Sequence, residues 1–268
     1  MLAGRIWYFG VMDVREEKFV VRTYECGADG RVRIASLMQY LQEAAALHAE
    51  QLGFGVEKLG TLDGYWVLSN IRVEIARLPA WNEQVTVRTW PSGYSRLIAT
   101  REFVGQGWDN GELFRAGSEW MVLDKQSPLG DALRRNRPKN LLHLDLGLPT
   151  TGTKVLQEKL SRLEPHNDYS GASPPHANLA GHVVVPGSSI DLNGHVNNTE
   201  YVRWGMDALS RAFKLRGNIR SVQATYLSEV FEGDELDLLV SCGPGESFHV
   251  VARKSGTQTN VFVMEVSC

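Results

Sequence analysis

The sequence contains few cysteines and no long hydrophobic stretch. Among its 268 residues are three cysteines, Cys26, Cys242 and Cys268, which form no CxxC pair and no metal-ligand spacing. A sparse, odd set argues against a disulfide framework, so we expect a cytoplasmic protein in which these cysteines are packing or tail residues. No apolar run approaches the roughly 20 residues that a membrane-spanning helix needs, and we expect no membrane attachment.

The sequence also lacks a strong charge of one sign. Its formal net charge is −3, which gives no electrostatic reason to expect nucleic-acid binding. Residues 1–17 do not combine a basic end with a clean apolar stretch and a cleavage site, so we expect no signal peptide. The hydrophobic content of 43% is ample for one large domain or two small ones.

An internal duplication organises the chain. A β-branched segment over residues 19–29 ends in turn residues and an aspartate, and residues 181–191 repeat that pattern. A helical spacing of apolar residues follows each segment and predicts one helix over residues 35–53 and another over residues 198–213. Coincidence between common β patterns is the alternative explanation, but the shared order of elements argues against it.

Capping residues mark the ends of both predicted helices. In the first helix, Ser36 and Gln39 have the spacing of a capping box, and Gly53 is a favourable C-terminal stop. In the second helix, Asn198 or Thr199 is predicted to cap the N-terminus.

A long strand that contains a turn follows each helix, over residues 71–89 and 222–241. The two segments align without gaps, matching Ile75 with Tyr226, Leu78 with Glu229, Asn82 with Gly233 and Val85 with Leu236. Each half then ends in a predicted antiparallel hairpin, formed by residues 98–104 and 114–123 in the first half and by residues 248–254 and 260–266 in the second. One long helix across an antiparallel sheet is an α+β architecture, so we expect two tandem α+β lobes.

We place the first lobe at residues 1–139, a linker at 140–178 and the second lobe at 179–268. The linker is rich in proline, glycine, serine and histidine, and its segment KVLQEKLSRLE, residues 154–164, predicts a short helix. The first lobe carries an additional segment, residues 53–70, that the second lacks.

The strongest chemical signal is Asp191-Leu192-Asn193-Gly194-His195, just before the second helix. In an extended segment, Asp191, Asn193 and His195 would all point to one side. Histidine exchanges protons near neutral pH, an asparagine amide can hold a water or a carbonyl, and the aspartate can orient its neighbours or hold the turn. Free N–H groups at the helix start could stabilise an oxyanion. The alternative is an ordinary turn and cap.

The alignment of the two β-branched segments places Asp29, Arg31 and Arg33 of the first half opposite Asp191, Asn193 and His195. Only the aspartate is shared, so the Asn–His pair belongs to one lobe. We therefore expect one working site and one altered site.

Glu229 is a second candidate, because its counterpart in the first half is the apolar Leu78. This exchange predicts a carboxylate that faces a shared interior, where burial would favour its use as a base. The alternative is a solvated glutamate in an acidic turn that also contains Glu232, Asp234 and Glu235.

Three segments of this sequence resemble the acyl-ACP thioesterase family of plastids and bacteria. They are RVEIARLPAWNEQVTVRTW (72–90), GSEWMVLDKQSPLG (117–130) and DLNGHVNNTEYVRW (191–204). The last is shared with hot-dog thioesterases generally, whereas the first two are more specific to the acyl-ACP branch. The resemblance covers residues 14–266.

This resemblance implies two fused hot-dog lobes in a pseudo-dimer, the first housing the acyl chain and the second supplying the chemistry. The family's catalytic asparagine, histidine and glutamate fall on Asn193, His195 and Glu229, and its accompanying aspartate falls on Asp191. No cofactor is implied. Many plant members have a cysteine where this chain has Val230, so we expect direct attack by water and no covalent cysteine route.

The implied substrate is fatty acyl-ACP, hydrolysed to free fatty acid and acyl carrier protein. Candidates for the wall of an acyl tunnel are Leu37, Met38, Leu41, Leu68 and Trp120, with ordinary core packing as the alternative. Because acyl carrier protein is acidic, a basic docking patch is expected. Two clusters qualify, Arg134, Arg135, Arg137 and Lys139, and Arg211, Lys214, Arg216 and Arg220; the alternative for each is a solvated face.

Three other functions stay open. They are an acyl-CoA thioesterase of the same fold, a non-catalytic acyl-binding protein and a hot-dog dehydratase, of which the last fits the Asn–His loop less well. The oligomeric state is also open, with a homodimer as one alternative. We expect a bacterial setting, since no transit peptide is visible.

Overall fold

The computed structural model of the chain describes residues 14–125, 138–144, 151–156, 160–165, 178–213 and 219–268. Its strands are β1 (Arg15–Val20), β2 (Gly64–Ile75), β3 (Gln84–Tyr94), β4 (Ala99–Gln106), β5 (Glu112–Asp124), β6 (Asn178–Val184), β7 (Ser221–Tyr226), β8 (Glu235–Cys242), β9 (Ser247–Lys254) and β10 (Asn260–Ser267). The α-helices are α1 (Ile34–Gln51), α2 (Val56–Thr61) and α3 (Asn198–Phe213).

All ten strands belong to one antiparallel sheet with the order β1-β3-β4-β5-β2-β7-β10-β9-β8-β6. The first five positions hold β1 to β5, and the last five repeat the same arrangement in reverse with β6 to β10. Helix α1 lies between β1 and β2 in the sequence, and α3 lies between β6 and β7. The predicted α+β fold with two tandem lobes is therefore confirmed.

The two lobes meet where β2 pairs with β7. In this ladder Arg72 lies opposite Gln223. The gapless alignment that matches Ile75 with Tyr226 also matches Arg72 with Gln223, so Arg72 pairs with its own counterpart in the repeat. A residue that pairs with its counterpart marks a local two-fold axis, and the duplication is therefore structural.

The ends of α1 test the predicted caps. Ser36 is buried inside the first turn and the helix already begins at Ile34, so the capping box of Ser36 and Gln39 is wrong. The predicted stop is confirmed, because Gly53 follows the last cap residue, Leu52, with a φ of 79° that favours glycine.

The described linker residues 140–144 contain a short 3-10 helix, Leu141–His143, and residues 151–156 and 160–165 run over the sheet. Residues 151–156 and 160–165 contain no helix, so the short helix predicted over 154–164 is wrong for these residues. Several of their backbone groups bond to the sheet. The Val155 N–H donates to the Glu102 carboxylate at 3.1 Å, and the Leu163 N–H donates to Thr225 Oγ1 at 3.0 Å. These bonds satisfy polar groups that the sheet buries.

Strand β5 ends at Asp124 and β6 begins at Asn178, whereas the lobe boundaries at residues 139 and 179 stay a prediction. The core lies between the sheet and the helices; fully buried large side chains include Leu37, Leu41, Phe103, Phe114, Leu209, Phe262 and Met264. Within the described residues, no helix has the length and apolarity that crossing a membrane requires.

Candidate active site

The loop that precedes α3 turns back on itself. Ile190 and Val196 form an isolated antiparallel bridge that closes it, and the Asp191 N–H donates to the His195 carbonyl at 2.8 Å. Gly194 has a φ of 80°, a left-handed conformation that favours glycine, and this lets the chain reverse. These residues therefore form a turn, and the extended arrangement in which Asp191, Asn193 and His195 would all point to one side does not form.

The carboxylate of Asp191 holds this loop together. Its Oδ1 accepts hydrogen bonds from the N–H of Asn193 at 2.8 Å and from the N–H of His195 at 3.4 Å. Such local bonds to the backbone are typical of aspartate in turns. Asp191 therefore holds the turn, and a part for it in the chemistry stays a prediction.

Asn197 caps α3, where Asn198 or Thr199 was predicted. Its Oδ1 accepts hydrogen bonds from the N–H and the hydroxyl of Thr199 at 2.9 and 2.8 Å, and its carbonyl accepts from the Glu200 N–H at 3.0 Å. The prediction missed the cap by one residue. The Asn198 N–H donates no hydrogen bond to another described residue. This amide of the first turn can therefore donate to an oxygen atom of a ligand.

The structure brings His195 and Glu229 together. Nε2 of His195 lies 3.5 Å from Oε1 of Glu229, and the two side chains are 19% and 25% exposed. Backbone pairing positions them, because the Val196 N–H donates to the Val230 carbonyl at 3.0 Å and joins the loop to the segment after β7. A half-buried imidazole beside a carboxylate can accept and relay a proton.

Tyr65 is a site residue that the sequence reasoning missed. It lies at the start of β2 in the first lobe, yet its hydroxyl donates to Oε1 of Glu229 at 2.5 Å. Its ring also stacks on the imidazole of His195, with centroids 5.4 Å apart. One signal could have drawn attention to it, because Tyr65 belongs to residues 53–70, the segment that only the first lobe carries.

A cavity of about 540 Å³ lies between the two lobes. The loop of the second lobe contributes Asn193, Asn197 and Asn198 to its wall, together with its neighbours Ile190, Asp191 and Leu192. The first lobe contributes residues of α1 and of strands β2 to β5. They are Gln42, Glu43, Ala45, Ala46 and Ala49 of α1, Trp66 of β2, Pro91 and Gly93 of β3, Ala99, Thr100 and Arg101 of β4, and Trp120 of β5. His195 and Glu229 lie beside this wall and are not among its lining residues.

Of the five candidates for an acyl tunnel, Trp120 lines the cavity. Leu37, Met38, Leu41 and Leu68 are packed in the hydrophobic core and lie outside the lining. Their helical or strand periodicity reflects core packing, and a contact between them and an acyl chain stays a prediction.

One wall of the cavity carries a buried cation. Arg101 is 7% exposed, and its Nη1 donates to Nδ1 of His48 at 2.9 Å and to Oγ1 of Thr89 at 3.2 Å. Burial lowers the pKa of Arg101 to about 10, so the guanidinium stays charged at neutral pH. Oε1 of Gln42, another lining residue, is buried without a hydrogen-bond partner among the described residues. The cavity therefore offers both apolar surface and polar groups.

Comparison with known proteins assigns the family. Sequence models of the acyl-ACP thioesterase N-terminal domain and C-terminal domain match residues 12–128 and 176–264. The chain belongs to the acyl-ACP thioesterase family.

Two chloroplastic oleoyl-acyl carrier protein thioesterases illustrate the sequence likeness. The protein from Coriandrum sativum is 28% identical over 243 residues, which cover 84% of this chain and 62% of the relative. A protein from Arabidopsis thaliana is 28% identical over 257 residues, which cover 90% of this chain and 66% of the relative. This chain thus spans less than two thirds of the length of these curated relatives.

Solved structures of two acyl-ACP thioesterases share the fold. A 12:0-ACP thioesterase from Umbellularia californica has a TM-score of 0.78 at 22% identity, covering 97% of this chain and 98% of that chain. An acyl-ACP thioesterase from Bacteroides thetaiotaomicron has a TM-score of 0.75 at 24% identity, covering 95% of this chain and 97% of that chain. At this identity the likeness establishes the two-lobed hot-dog fold.

The first lobe of this acyl-ACP thioesterase family member contains a counterpart of the loop before α3. Cys26 and Val32 form the closing bridge, and the Gly27 N–H donates to the Arg31 carbonyl at 2.8 Å. This hydrogen-bond pattern places Arg31 opposite His195. The predicted alignment, which matched Arg31 with Asn193, was wrong by two residues, because it matched aspartates by type and ignored the bonds that close each loop.

The two basic clusters proposed for docking lie largely outside the described residues, which exclude Arg134, Arg135, Arg137, Lys214 and Arg216. The remaining members are engaged locally. Lys139 pairs with Asp124, and Arg211 and Arg220 donate to the backbone carbonyls of Ala180 and Cys268. A docking role for either cluster stays a prediction.

Proposed function

We propose that this chain hydrolyses fatty acyl thioesters of acyl carrier protein to free fatty acid and carrier thiol. One observation carries the proposal: His195 and Glu229 lie 3.5 Å apart, next to a loop that lines a cavity of about 540 Å³ between the lobes. Membership of the acyl-ACP thioesterase family, and relatives named as oleoyl-acyl carrier protein thioesterases, support the choice of carrier.

The reaction is direct attack by water. Glu229 and His195 act as one proton-accepting pair and take a proton from the water as its oxygen bonds to the thioester carbon. The C–S bond then breaks, and the leaving thiolate receives a proton from the same pair. Val230 occupies the position after Glu229 and offers no nucleophile.

Asn193 and the start of α3 position the carbonyl. Asn193 lines the cavity from the loop that also carries His195, so its amide can hold the attacking water or the thioester oxygen. The Asn198 N–H lies at the N-terminus of α3, where the helix dipole favours negative charge, and it stabilises the developing oxyanion. Asp191 keeps the loop in the required shape.

The acyl chain occupies the cavity on the side of the first lobe. Trp120, Ala45, Ala49 and Phe54 provide apolar surface there. Burial of each methylene stabilises the complex by about 0.8 kcal/mol, so a longer chain is bound more tightly until it reaches the end of the cavity. The division of labour follows, with the first lobe binding the chain and the second lobe supplying most of the chemistry.

The acyl-CoA thioesterase and the non-catalytic acyl-binding protein are the competing functions. Both would use the same cavity, so the carrier and the released product distinguish them. A cytoplasmic location, a homodimer and the docking clusters stay predictions.

The test measures thiol release by the purified chain from acyl-ACPs and acyl-CoAs of equal chain lengths. Asn193→Ala, His195→Ala and Glu229→Ala should each lower kcat/KM on acyl-ACP by about 100-fold or more, because each removes a group that acts in the transition state. His182→Ala is the matched control for the histidine, since His182 pairs with Asp237 at 3.0 Å on the edge strand β6. Glu232→Ala is the control for the glutamate.

Three outcomes would contradict the proposal. Unchanged turnover in all three variants excludes the site. Equal or faster turnover of acyl-CoA identifies a different carrier. Tight binding of acyl chains without thiol release identifies a non-catalytic acyl-binding protein.

A further inference from the structure

Tyr65 connects the two lobes at the acid–base pair. Its hydroxyl donates to Oε1 of Glu229 at 2.5 Å, and its ring stacks on His195 with an interplanar angle of 24°. A single side chain of the first lobe thus contacts both members of the pair in the second lobe. Neither the match with the family nor the duplication of the chain assigns it a role.

We propose that Tyr65 is a positioning residue that holds the Glu229 carboxylate and the His195 imidazole in their reactive arrangement, a role that rests on the proposed thioester hydrolysis. A glutamate side chain has three rotatable bonds, and a hydrogen bond to one of its oxygens restricts them. The stacked ring restricts the plane of the imidazole in the same way. Catalysis is sensitive to such restriction, because a small misplacement of a reacting group is costly.

The surroundings of Tyr65 make it a rigid support. The residue is 6% exposed and pairs with Leu123 of β5 in the sheet. The next residue, Trp66, is anchored by its indole N–H, which donates to the Phe54 carbonyl at 2.9 Å. The hydroxyl is therefore presented to Glu229 from a strand, and strands position groups more accurately than loops do.

The hydroxyl also acts as a permanent donor. Burial, followed by the hydrogen bond to Glu229, raises the pKa of Tyr65 above its ordinary value, so the phenol stays protonated at neutral pH. A donor at a carboxylate oxygen stabilises the ionised form. Tyr65 thereby keeps one oxygen of Glu229 hydrogen-bonded and fixed in position.

Other titratable groups face the same pair. Tyr201 of α3 interacts with Glu229, and Asp191 of the loop and Asp234 of the turn before β8 act on Tyr201; Asp234 pairs with Lys254. Burial, then the charges of Glu229, Asp234 and Asp191, raises the pKa of Tyr201. All of these groups remain when the hydroxyl of Tyr65 is removed, so a comparison of Tyr65→Phe with the unaltered chain isolates that hydroxyl.

The chain contains a matched control. The hydroxyl of Tyr40 in α1 donates to Oε2 of Glu25, also at 2.5 Å, and its ring stacks on Phe19 at 4.4 Å. Tyr40 is 5% exposed, so Tyr40→Phe removes the same kind of bond at a similar depth. It does so away from the acid–base pair.

The first measurement is the pH dependence of acyl-ACP hydrolysis. Tyr65→Phe should lower kcat about tenfold at neutral pH with KM within twofold, and it should move the acidic limb of kcat/KM upward. The direction follows because a hydrogen bond to the ionised form of a carboxylate favours that form. Tyr40→Phe should leave the acidic limb in place. It should lower the melting temperature by about as much as Tyr65→Phe does.

The second measurement needs no substrate. The ring signals of His195, assigned with His195→Gln, are followed by NMR at one pH, and Tyr65→Phe should change their chemical shifts, because the imidazole and its carboxylate partner lose the contact that orders them. If the unaltered chain hydrolyses no thioester while these signals change, the proposed function has failed and the contact between the three side chains stands. An acidic limb and His195 signals that do not change, or that change equally in Tyr40→Phe, overturn the role of Tyr65.

Discussion

The loop over residues 190–196 and its counterpart over residues 26–32 share one backbone but not one chemistry. Each is closed by an isolated bridge and by an N–H to carbonyl bond of 2.8 Å across four residues. Each contains a glycine of positive φ, Gly30 at 72° and Gly194 at 80°. The side chains differ, because Arg31 lies where the second lobe has His195.

A second pair of positions shows the same contrast. Glu229 in the second lobe corresponds to Leu78 in the first, and the Arg31 guanidinium donates to the Leu78 carbonyl at 2.7 Å. The backbone of the loop is thus a requirement of the fold, which places it before the helix in both lobes. The imidazole and the carboxylate occur in one lobe only, so the fold does not require them. Their presence there is therefore best explained by a function.

The strongest test of this difference between the lobes is to give the second lobe the residues of the first. The double variant His195→Arg, Glu229→Leu should lower kcat/KM for acyl-ACP by about 10³-fold, because it removes the whole proton-accepting pair. The reciprocal variant Arg31→His, Leu78→Glu should leave turnover within twofold. A loss smaller than tenfold in the first variant, measured by thiol release, would show that the chemistry lies elsewhere.

The glycines of the two loops provide a second test of the difference between the lobes. Gly30→Ala and Gly194→Ala should each lower the free energy of unfolding by about 1–2 kcal/mol, because an added Cβ disfavours positive φ. Nothing lies within 4 Å of either added Cβ, so the backbone alone sets the cost. Urea denaturation measures it. Only Gly194→Ala should also slow turnover, since only that loop carries Asn193, and an equal loss in Gly30→Ala would contradict the asymmetry.

The smallest expected difference concerns two equivalent carboxylates. Glu83 accepts the Ala80 N–H and pairs with Arg77, and Asp234 accepts the Phe231 N–H and pairs with Lys254. The bond from Arg77 lowers the pKa of Glu83. Burial alone would raise the pKa of Asp234, but its hydrogen bonds from Lys254 and the Phe231 N–H outweigh burial and lower it.

A carboxylate whose pKa is lowered by folding stabilises the protein above its unfolded pKa of about 4 and loses that contribution as the pH falls through its folded pKa. Glu83→Gln and Asp234→Asn should therefore each cost about 1 kcal/mol at pH 7 and progressively less below about pH 4. Denaturant titrations at pH 7 and at a pH below about 4 measure this loss of stability. Opposite pH dependence in the two variants would show that the lobes differ in their turns as well as in their chemistry.

Much of the architecture could be predicted because its signals are local. The apolar spacing over residues 198–213 predicted α3 with the bounds that the structure has. Alternation and turn residues predicted the hairpins β4–β5 and β9–β10. The linker helix failed for the opposite reason, since the partners of its backbone groups, such as Glu102 and Thr225, lie in distant strands.

The candidate site divides in the same way. Asn193, His195 and Glu229 were candidates because residue type and the contrast between the repeats single them out. The turn-forming role of Asp191, the cap at Asn197 and the correct match of Arg31 with His195 required the hydrogen bonds of the folded loops.

By itself, the sequence determined the duplicated α+β lobes and which lobe carries an imidazole and a carboxylate, because periodicity and residue type are written locally along the chain. Only the tertiary structure decided that Tyr65 meets Glu229, a residue 164 positions away. That contact exists because β2 and β7 pair at the seam of the lobes, and no local pattern records which side chains a pairing of distant strands brings together.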